Sequence, residues 1–152
     1  KHVVQCQTDA AKSSSYIGLG MWWPMSKEFV CMRLPTSKYS HWHINFLEFL
    51  AVALSMLVKA DPITTSWEAV TDNECAKFNF IKGRSINPVA NAILKQIAYY
   101  KWGMPLDYKI YRVPRELTHD LKAVVQKDFL SCANIISDAL SRGMIFPSQK
   151  GL

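Results

Sequence analysis

Three short runs near the start of the chain are typical of β-strands, and the first two alternate, the first only in part, with the two-residue period of a strand. The runs cover residues 3–8, 16–22 and 29–34, and turn-forming residues separate them. In the second run, Gly18 and Gly20 share one face, where another part of the molecule has room to approach closely. The three runs predict an antiparallel meander.

The period then changes to that of an amphipathic helix. Leu47, Ala51, Leu54 and Val58 recur at helical spacing, and Asn45 is predicted as the N-cap. Further along, the pattern predicts a strand at 64–71, a short helix at 73–82, a helix at 87–100, a strand at 106–113, an amphipathic helix within 117–133 and a final short helix at 134–142.

This order of elements is typical of the α/β class. A meander followed by strand–helix–strand units predicts one mixed sheet, antiparallel and parallel, with helices packed on its faces. The 152 residues are enough for one domain with a sizeable core. We predict that this domain covers residues 1–146, with an inserted helical segment at about 117–133, and that 147–152 form a C-terminal tail.

The composition of the chain indicates a polyanionic partner. The net charge is +6 and the isoelectric point is about 9.2, which suits nucleic acid. The four cysteines form no CxxC pair, so we expect buried, reduced thiols in an intracellular protein rather than a zinc site. The apolar stretch 46–58 contains Glu48 and is shorter than the roughly 20 residues that cross a bilayer. The chain begins at Lys1 without a methionine, which suggests a domain of a larger protein.

Four acidic residues stand out by their positions in the predicted elements. Asp9 and Asp72 each end a strand, Glu48 lies near the start of the long helix, and Asp138 lies inside a largely apolar helix. If the two strands are parallel neighbours, both aspartates emerge at the sheet edge where α/β proteins place ligands. The positions therefore predict a shared site for all four carboxylates.

Each of these acids also has a purely structural interpretation. Asp9 suits a turn, Asp72 suits an N-cap, and Glu48 completes a capping box with Asn45. Asp138 is the hardest to explain in this way, because apolar residues surround it and aspartate is a poor helix former. The ordered set of four carries more weight than any single member.

Clustered carboxylates repel each other unless a cation compensates their charge. Oxygen ligands favour Mg²⁺, and Mn²⁺ as a substitute, over metals that prefer histidine or cysteine. Two such ions, about 3.5–4 Å apart, can hold a phosphodiester in line, with one activating water and the other stabilising the leaving oxygen.

Four stretches of the sequence resemble, in order, the motifs of retroelement ribonuclease H domains: QTDAAKSSSYIGLGMWW, HINFLEFLAVALSM, VTDNECAKFNFIKGRS and ANIISDALSRG. The similarity is greatest to the gypsy-like and DIRS-like retrotransposon type, and more distant to hepadnaviral polymerases. It implies the ribonuclease H fold, a five-stranded mixed sheet with helices on both faces. It also implies that Asp9, Glu48, Asp72 and Asp138 are the catalytic, metal-binding carboxylates.

The resemblance further implies a function and a setting. Such enzymes hydrolyse the RNA strand of an RNA–DNA hybrid during reverse transcription, by two-metal-ion catalysis. The expected partners are the hybrid and a reverse transcriptase domain of the same polyprotein. The expected location is cytoplasmic, within a virus-like particle or replication complex, and no membrane association is expected.

The chain departs from the family pattern between its last strand and its last helix. There the V-P-x-E segment, 113–116, is separated from Asn134 by the added segment 117–133. Relatives often carry a catalytic histidine before the fourth acid, and His119 lies in the added segment. A catalytic role for His119 therefore competes with the interpretation that it is a surface histidine on an amphipathic helix.

Contacts with the hybrid are expected from two groups of residues. Readout of 2′-hydroxyl groups is expected near the first and third acids, and phosphate contacts are expected from a basic face on the central helices. The residues are Ala10, Ser13, Ser14 and Asn73 for the first group, and Lys82, Arg84 and Lys95 for the second.

Two other functions compete with the nuclease. A non-catalytic ribonuclease-H-like tether would be expected to lose some of the acids, and this chain keeps four. An integrase or transposase core of the same fold generally ends its acid set with a glutamate, whereas the late acid here is Asp138. Both features favour ribonuclease H.

Overall fold

The computed structural model describes residues 6–59, 66–100, 107–112, 134–144 and 150–151. The strands are β1 (Cys6–Lys12), β2 (Ile17–Trp23), β3 (Glu28–Arg33), β4 (Ser66–Thr71), β5 (Asp107–Arg112) and β6 (Lys150–Gly151). The helices are α1 (Thr36–Tyr39), α2 (Ile44–Lys59), α3 (Glu74–Lys82), α4 (Pro88–Tyr100) and α5 (Asn134–Ser141).

All six strands form one mixed sheet in the order β5-β4-β1-β2-β3-β6. The pairs β1–β2 and β2–β3 are antiparallel, while β1–β4, β4–β5 and β3–β6 are parallel. The meander and the mixed sheet are therefore confirmed. The sheet has one strand more than predicted, because Lys150 and Gly151 of the predicted tail pair with Glu28 and Phe29. The predicted domain bounds themselves stay a prediction.

Helices cover both faces of the sheet, as predicted. The central strand β2 is therefore buried on both of its sides. All seven of its residues are buried. Leu19 and Met21 belong to the main core, which includes the buried side of α2, while Trp22 packs with Phe29 and Leu140 of α5 in a second core on the other face. The strand alternates two apolar environments rather than an apolar and a polar one.

The start of α2 differs from the prediction. Asn45 is not the N-cap, because the helix begins one residue earlier, at Ile44. The backbone carbonyl of His43 accepts hydrogen bonds from the N–H groups of Phe46 and Leu47, and its Nδ1 accepts one from the N–H of Asn45. His43 therefore caps the helix, and the Asn45 side chain is available for other contacts.

The N-cap of α3 is Asn73 and not Asp72, the residue that suits a cap in the sequence. Asn73 Oδ1 accepts a hydrogen bond from the Ala76 N–H at 2.8 Å, and Gly83 ends the helix in the left-handed conformation.

Among the cysteines, the prediction of a buried thiol is confirmed for Cys6 and wrong for Cys75, which is exposed.

Several predictions lie outside the described residues. The inserted segment 117–133, the V-P-x-E segment and His119 are among them. Within the part of the chain that the structure describes, no helix is both long enough and apolar enough to cross a membrane.

Candidate active site

Three acidic side chains from separate elements meet at one point of the molecule. Asp9 of β1, Glu48 of α2 and Asp72, directly after β4, have carboxylate oxygens within 4.8 Å of one another. All three residues are buried, with exposed fractions of 2%, 1% and 8% respectively. Since buried carboxylates are rare without a compensating charge, the cluster is a candidate metal centre.

The register of the sheet brings Asp9 and Asp72 together. Strands β1 and β4 are parallel neighbours in which Gln7 is the partner of Val70. Thr8 adds a side-chain hydrogen bond from its Oγ1 to the Val70 carbonyl, at 3.3 Å. The same offset, continued past the paired residues, sets Asp9, in the middle of β1, level with Asp72, directly after β4. The prediction that Asp9 ends its strand is wrong, because β1 continues to Lys12 in its pairing with β2. The expectation of parallel neighbouring strands is confirmed.

Glu48 is brought to the cluster by the position of the α2 N-terminus, and Lys12 holds that end in place. Lys12 lies three residues after Asp9, at the end of β1. Its Nζ donates hydrogen bonds to the backbone carbonyls of Ser40 and Trp42, at 2.7 and 2.6 Å. The strand that carries Asp9 is thereby tied to the loop that leads into the helix carrying Glu48.

Asp138 lies beside the three clustered acids rather than among them. It lines the same small cavity, of about 160 Å³, as Asp9 and Asp72. Its Oδ1 is 3.4 Å from the Nε of Arg142, one helical turn later, and Arg142 lines the cavity as well. The other lining residues are Ala10, Ala11, Lys12 and Ile44.

Burial and like charges raise the pKa of Asp9 well above its ordinary value. The largest cause is the loss of water around the carboxylate, followed by the negative charges of Glu48 and Asp72 and by hydrogen bonds with Asp138 and Glu48. Without a cation, the site therefore favours a protonated Asp9. A bound divalent ion reverses this preference, because it supplies the missing positive charge.

The donor set suits a hard divalent cation. The three clustered ligands offer carboxylate oxygens only, and such ligands favour ions of the Mg²⁺, Mn²⁺ and Ca²⁺ class. The structure thus brings three of the four predicted acids within ligand distance of one another and sets Asp138 next to them. Their catalytic role stays a prediction.

The sequence analysis missed three residues of this site, and Ser141 is the one that is buried. It is fully buried at the end of α5, and its Oγ lies 3.1 Å from Oδ2 of Asp9. Its signal in the sequence is its place in the D-A-L-S-R block, three residues after Asp138. Lys12 and Arg142 were missed as well, because nothing in the pattern shows where a long side chain ends.

Two amides connect the helices next to the acids. Asn73 Nδ2 donates to Asn45 Oδ1 at 2.9 Å, while Asn45 Nδ2 is 3.4 Å from the sulfur of Cys75. The Asn73 side chain therefore joins the N-termini of α2 and α3, in addition to capping α3. Asn45, predicted as a cap, is instead a polar side chain next to the acid cluster.

The other residues predicted to bind nucleic acid lie at several places. Ser13 and Ser14 are exposed in the turn after β1, and Ala10 is buried, so that only its backbone is suited to such a contact. On the central helices, Lys82 ends α3 and Lys95 lies on α4. Both are exposed, as is Arg84, and none of the three lines the acid cavity.

Comparison with solved structures identifies the fold of this chain. The chain is similar to an RNase H1 isolated from compost by a metagenomic approach, with a TM-score of 0.51 and 15% sequence identity over 73% of this chain and 84% of that one. This chain has the ribonuclease H fold. An RNase H1 from the halophilic archaeon Halobacterium salinarum NRC-1 is similar with a TM-score of 0.49 and 12% identity, over 91% and 97% of the two chains.

The ribonuclease H fold of this chain is thus evident from structure alone. No family model matches the sequence, and no curated protein matches it. The predicted fold is confirmed, and the retroelement type stays a prediction.

Proposed function

We propose that this domain hydrolyses the RNA strand of RNA–DNA hybrids in a reaction that depends on divalent cations. The observation that carries the proposal is the cluster of Asp9, Glu48 and Asp72, three buried carboxylates with oxygens within 4.8 Å of one another in a ribonuclease H fold. Phosphodiester hydrolysis uses such clusters to hold two ions. Mg²⁺ is the proposed ion, with Mn²⁺ as a substitute.

Each residue of the site has a proposed task. Asp9, Glu48 and Asp72 bind the cations, with Asp138 as the fourth ligand. When bound, the ions supply Lewis-acid stabilisation of the phosphodiester and of the leaving oxygen. The exposed Arg142 guanidinium attracts the phosphate backbone to a cavity that would otherwise repel it.

The hybrid is proposed as substrate because it is the substrate that the resemblance of the sequence motifs implies. Polar side chains follow two of the acids in the chain: Asn73 comes directly after Asp72, and Ser13 and Ser14 present exposed hydroxyls after β1. Such groups can read 2′-hydroxyls, which only the RNA strand offers. Lys82, Arg84 and Lys95 are the proposed phosphate contacts, and His119 is a further proposed catalytic residue.

The motif order of the sequence supports a wider context for this activity. We include in the proposal a retroelement origin, a reverse transcriptase domain of the same polyprotein as partner, and a location in a virus-like particle or replication complex. These parts rest on the resemblance of the four sequence stretches, and the activity itself does not depend on them.

Hybrid cleavage with Mg²⁺ tests the activity. The variant Asp72→Asn removes one charge of the cluster, and Glu74→Gln removes an exposed acid two residues later, at the start of α3. We expect the first variant to lose about 100-fold or more of kcat, because one of the charges that hold the ions is gone. The second variant should cut like the wild type.

The substrate panel separates the competing functions. We expect cleavage of RNA in a hybrid and little cleavage of double-stranded DNA of the same sequence. No cleavage by the wild type in either Mg²⁺ or Mn²⁺ would indicate a non-catalytic tether. Preferential cutting of DNA would indicate a nuclease of the integrase type, and full activity of Asp72→Asn would remove the metal centre from the mechanism.

A further inference from the structure

Ser141 connects two acids that come from opposite parts of the chain. Its Oγ lies 3.1 Å from Oδ2 of Asp9 and 2.7 Å from the backbone carbonyl oxygen of Asp138, and the residue is fully buried. A hydroxyl carries a single proton, so it donates to one of these two acceptors at a time. Through it, the helix that carries Asp138 is in direct contact with the carboxylate of Asp9.

A second buried serine shows what is particular about Ser141. Ser55 of α2 is also fully buried, and its Oγ donates to the carbonyl of Val52, three residues earlier, at 2.7 Å. Ser141 makes the same local contact with the carbonyl three residues earlier. Ser141 differs in that its hydroxyl also reaches a carboxylate of the acid cluster. Hydrogen bonds to an ionised acceptor are stronger than those between neutral groups.

The position of Ser141 is set by backbone contact. A Cβ at Gly20 would clash with the carbonyl oxygen of Ser137 and with the N–H of Ser141, and a Cβ at Gly18 would clash with the carbonyl oxygen of Ser141. Gly20 is also the strand partner of Asp9. The helix backbone thus lies directly on β2, and the hydroxyl has little freedom to move away from Asp9.

We propose that Ser141 is a positioning residue that orients the Asp9 carboxylate for cation binding. When Asp9 is ionised, as cation binding requires, a hydrogen bond from Ser141 Oγ to Oδ2 fixes the rotation of the carboxylate that binds the ion. Partners of this kind tune metal affinity without touching the metal. The inference rests on the proposed function in one respect only, namely that the acid cluster binds divalent cations.

The test measures cation binding without substrate. We expect the Mn²⁺ dissociation constant of Ser141→Ala, from isothermal titration calorimetry, to be about 10-fold weaker than that of the wild type. Ser55→Ala is the matched control, since it removes an equally buried helical hydroxyl, and it should bind Mn²⁺ like the wild type. In hybrid cleavage, Ser141→Ala should need more Mg²⁺ for half-maximal rate, with an unchanged KM for the hybrid.

A second variant distinguishes the loss of the hydrogen bond from a loss of folding. Ser141→Cys fills the site with a slightly larger side chain of the same shape and replaces the hydroxyl by a weaker donor, so its Mn²⁺ affinity should lie between those of the wild type and Ser141→Ala. The inference is overturned if both Ser141 variants bind Mn²⁺ like the wild type, or if Ser55→Ala loses as much affinity.

The two proposals fail in different ways. If the wild type binds Mn²⁺ and the Ser141 variants bind it less tightly, but no hybrid is cut, the positioning role stands and the nuclease is overturned. If hybrid is cut and the Ser141 variants keep full Mn²⁺ affinity, the nuclease stands and the positioning role is overturned. A wild type that binds no divalent cation overturns both.

Discussion

Asp9 occupies a position in which its own ionisation is costly. It is buried, it faces the negative charges of Glu48 and Asp72, and its pKa lies well above the ordinary value. The folded state therefore binds a proton over a pH range in which the unfolded chain has released it. The stabilising effect of this proton is complete below the unfolded pKa and is lost as the pH rises through the folded pKa.

We expect the metal-free protein to lose stability as the pH rises through the raised pKa of Asp9. Asp9→Asn should abolish this part of the pH dependence and should raise the free energy of unfolding at pH 7 by about 1 kcal/mol or more, because a neutral amide has neither the cost of taking up a proton nor that of holding a charge beside Glu48 and Asp72. Urea unfolding in chelator at several pH values measures both effects. A variant less stable than the wild type at pH 7 would contradict the argument.

The residues of the site differ in how far the sequence could predict them. Asp9 and Asp72 were predictable, because each lies in or directly after one strand of a parallel pair, although Asp9 lies within β1 and not at its end. Ser141 was not, because a serine inside an apolar helix has the same pattern whether it faces a carbonyl, as Ser55 does, or a carboxylate. Lys12 binds backbone carbonyls of a loop that has no periodicity of its own.

At the scale of the elements, the contact between α5 and β2 determines where the late helix lies. Gly18 and Gly20 leave no side chain between the strand and the helix backbone. Since Asp138 and Ser141 are both on this helix, the distance between the two elements decides how both reach the acid cluster. The sequence predicted that something approaches these glycines closely, and the structure shows that it is α5.

We expect Gly20→Ala to be severely destabilising, by roughly 2–4 kcal/mol, because its Cβ would overlap backbone atoms that cannot rotate away. Gly83→Ala is the control, since that glycine has positive φ and open space around it, and its cost should be about 1 kcal/mol from backbone strain alone. Thermal unfolding compares the stabilities, and hybrid cleavage should decline only in Gly20→Ala. Equal effects of the two variants would mean that the α5 contact is unimportant.

The N-terminus of α2 shows why the element boundary was harder to predict than the element. Both His43 and Asn45 precede the apolar stripe, and asparagine is much the commoner cap. The helix starts earlier because the loop before it is held by Lys12, and because the His43 ring accepts the bond that a cap side chain supplies. Tertiary contacts thus decided the boundary.

At the scale of the whole molecule, the fold was predictable wherever the period of the sequence was clear. Five of the six strands and their order along the chain follow from alternation and turns. The sixth, Lys150–Gly151, did not, because two residues carry no period and their pairing with Glu28 and Phe29 is set by distant parts of the chain. The order of the strands across the sheet was not predicted, because alternation along the chain does not show which strands are neighbours.

The net charge of +6 predicts that the proposed binding of a hybrid depends on the salt concentration. Lys82→Ala together with Arg84→Ala should reduce the slope of log affinity against log salt by about 1 to 2, because each phosphate contact releases counterions. Lys27→Asn is the control: it removes an exposed charge in the turn between β2 and β3, and asparagine tolerates the positive φ found there. Fluorescence anisotropy at several salt concentrations gives the slopes. An unchanged slope in the double variant would exclude these two residues from the binding surface.

The bond between Ser141 and Asp9 joins residues 132 positions apart. Closing so long a stretch of chain is entropically costly, and contacts of this kind form late in folding. Until α5 packs on β2, the acids near the start of the chain lack the cavity wall that holds Asp138. We therefore expect metal affinity to be acquired in the last step of folding, so that a partly synthesised or partly unfolded chain is inert as a nuclease.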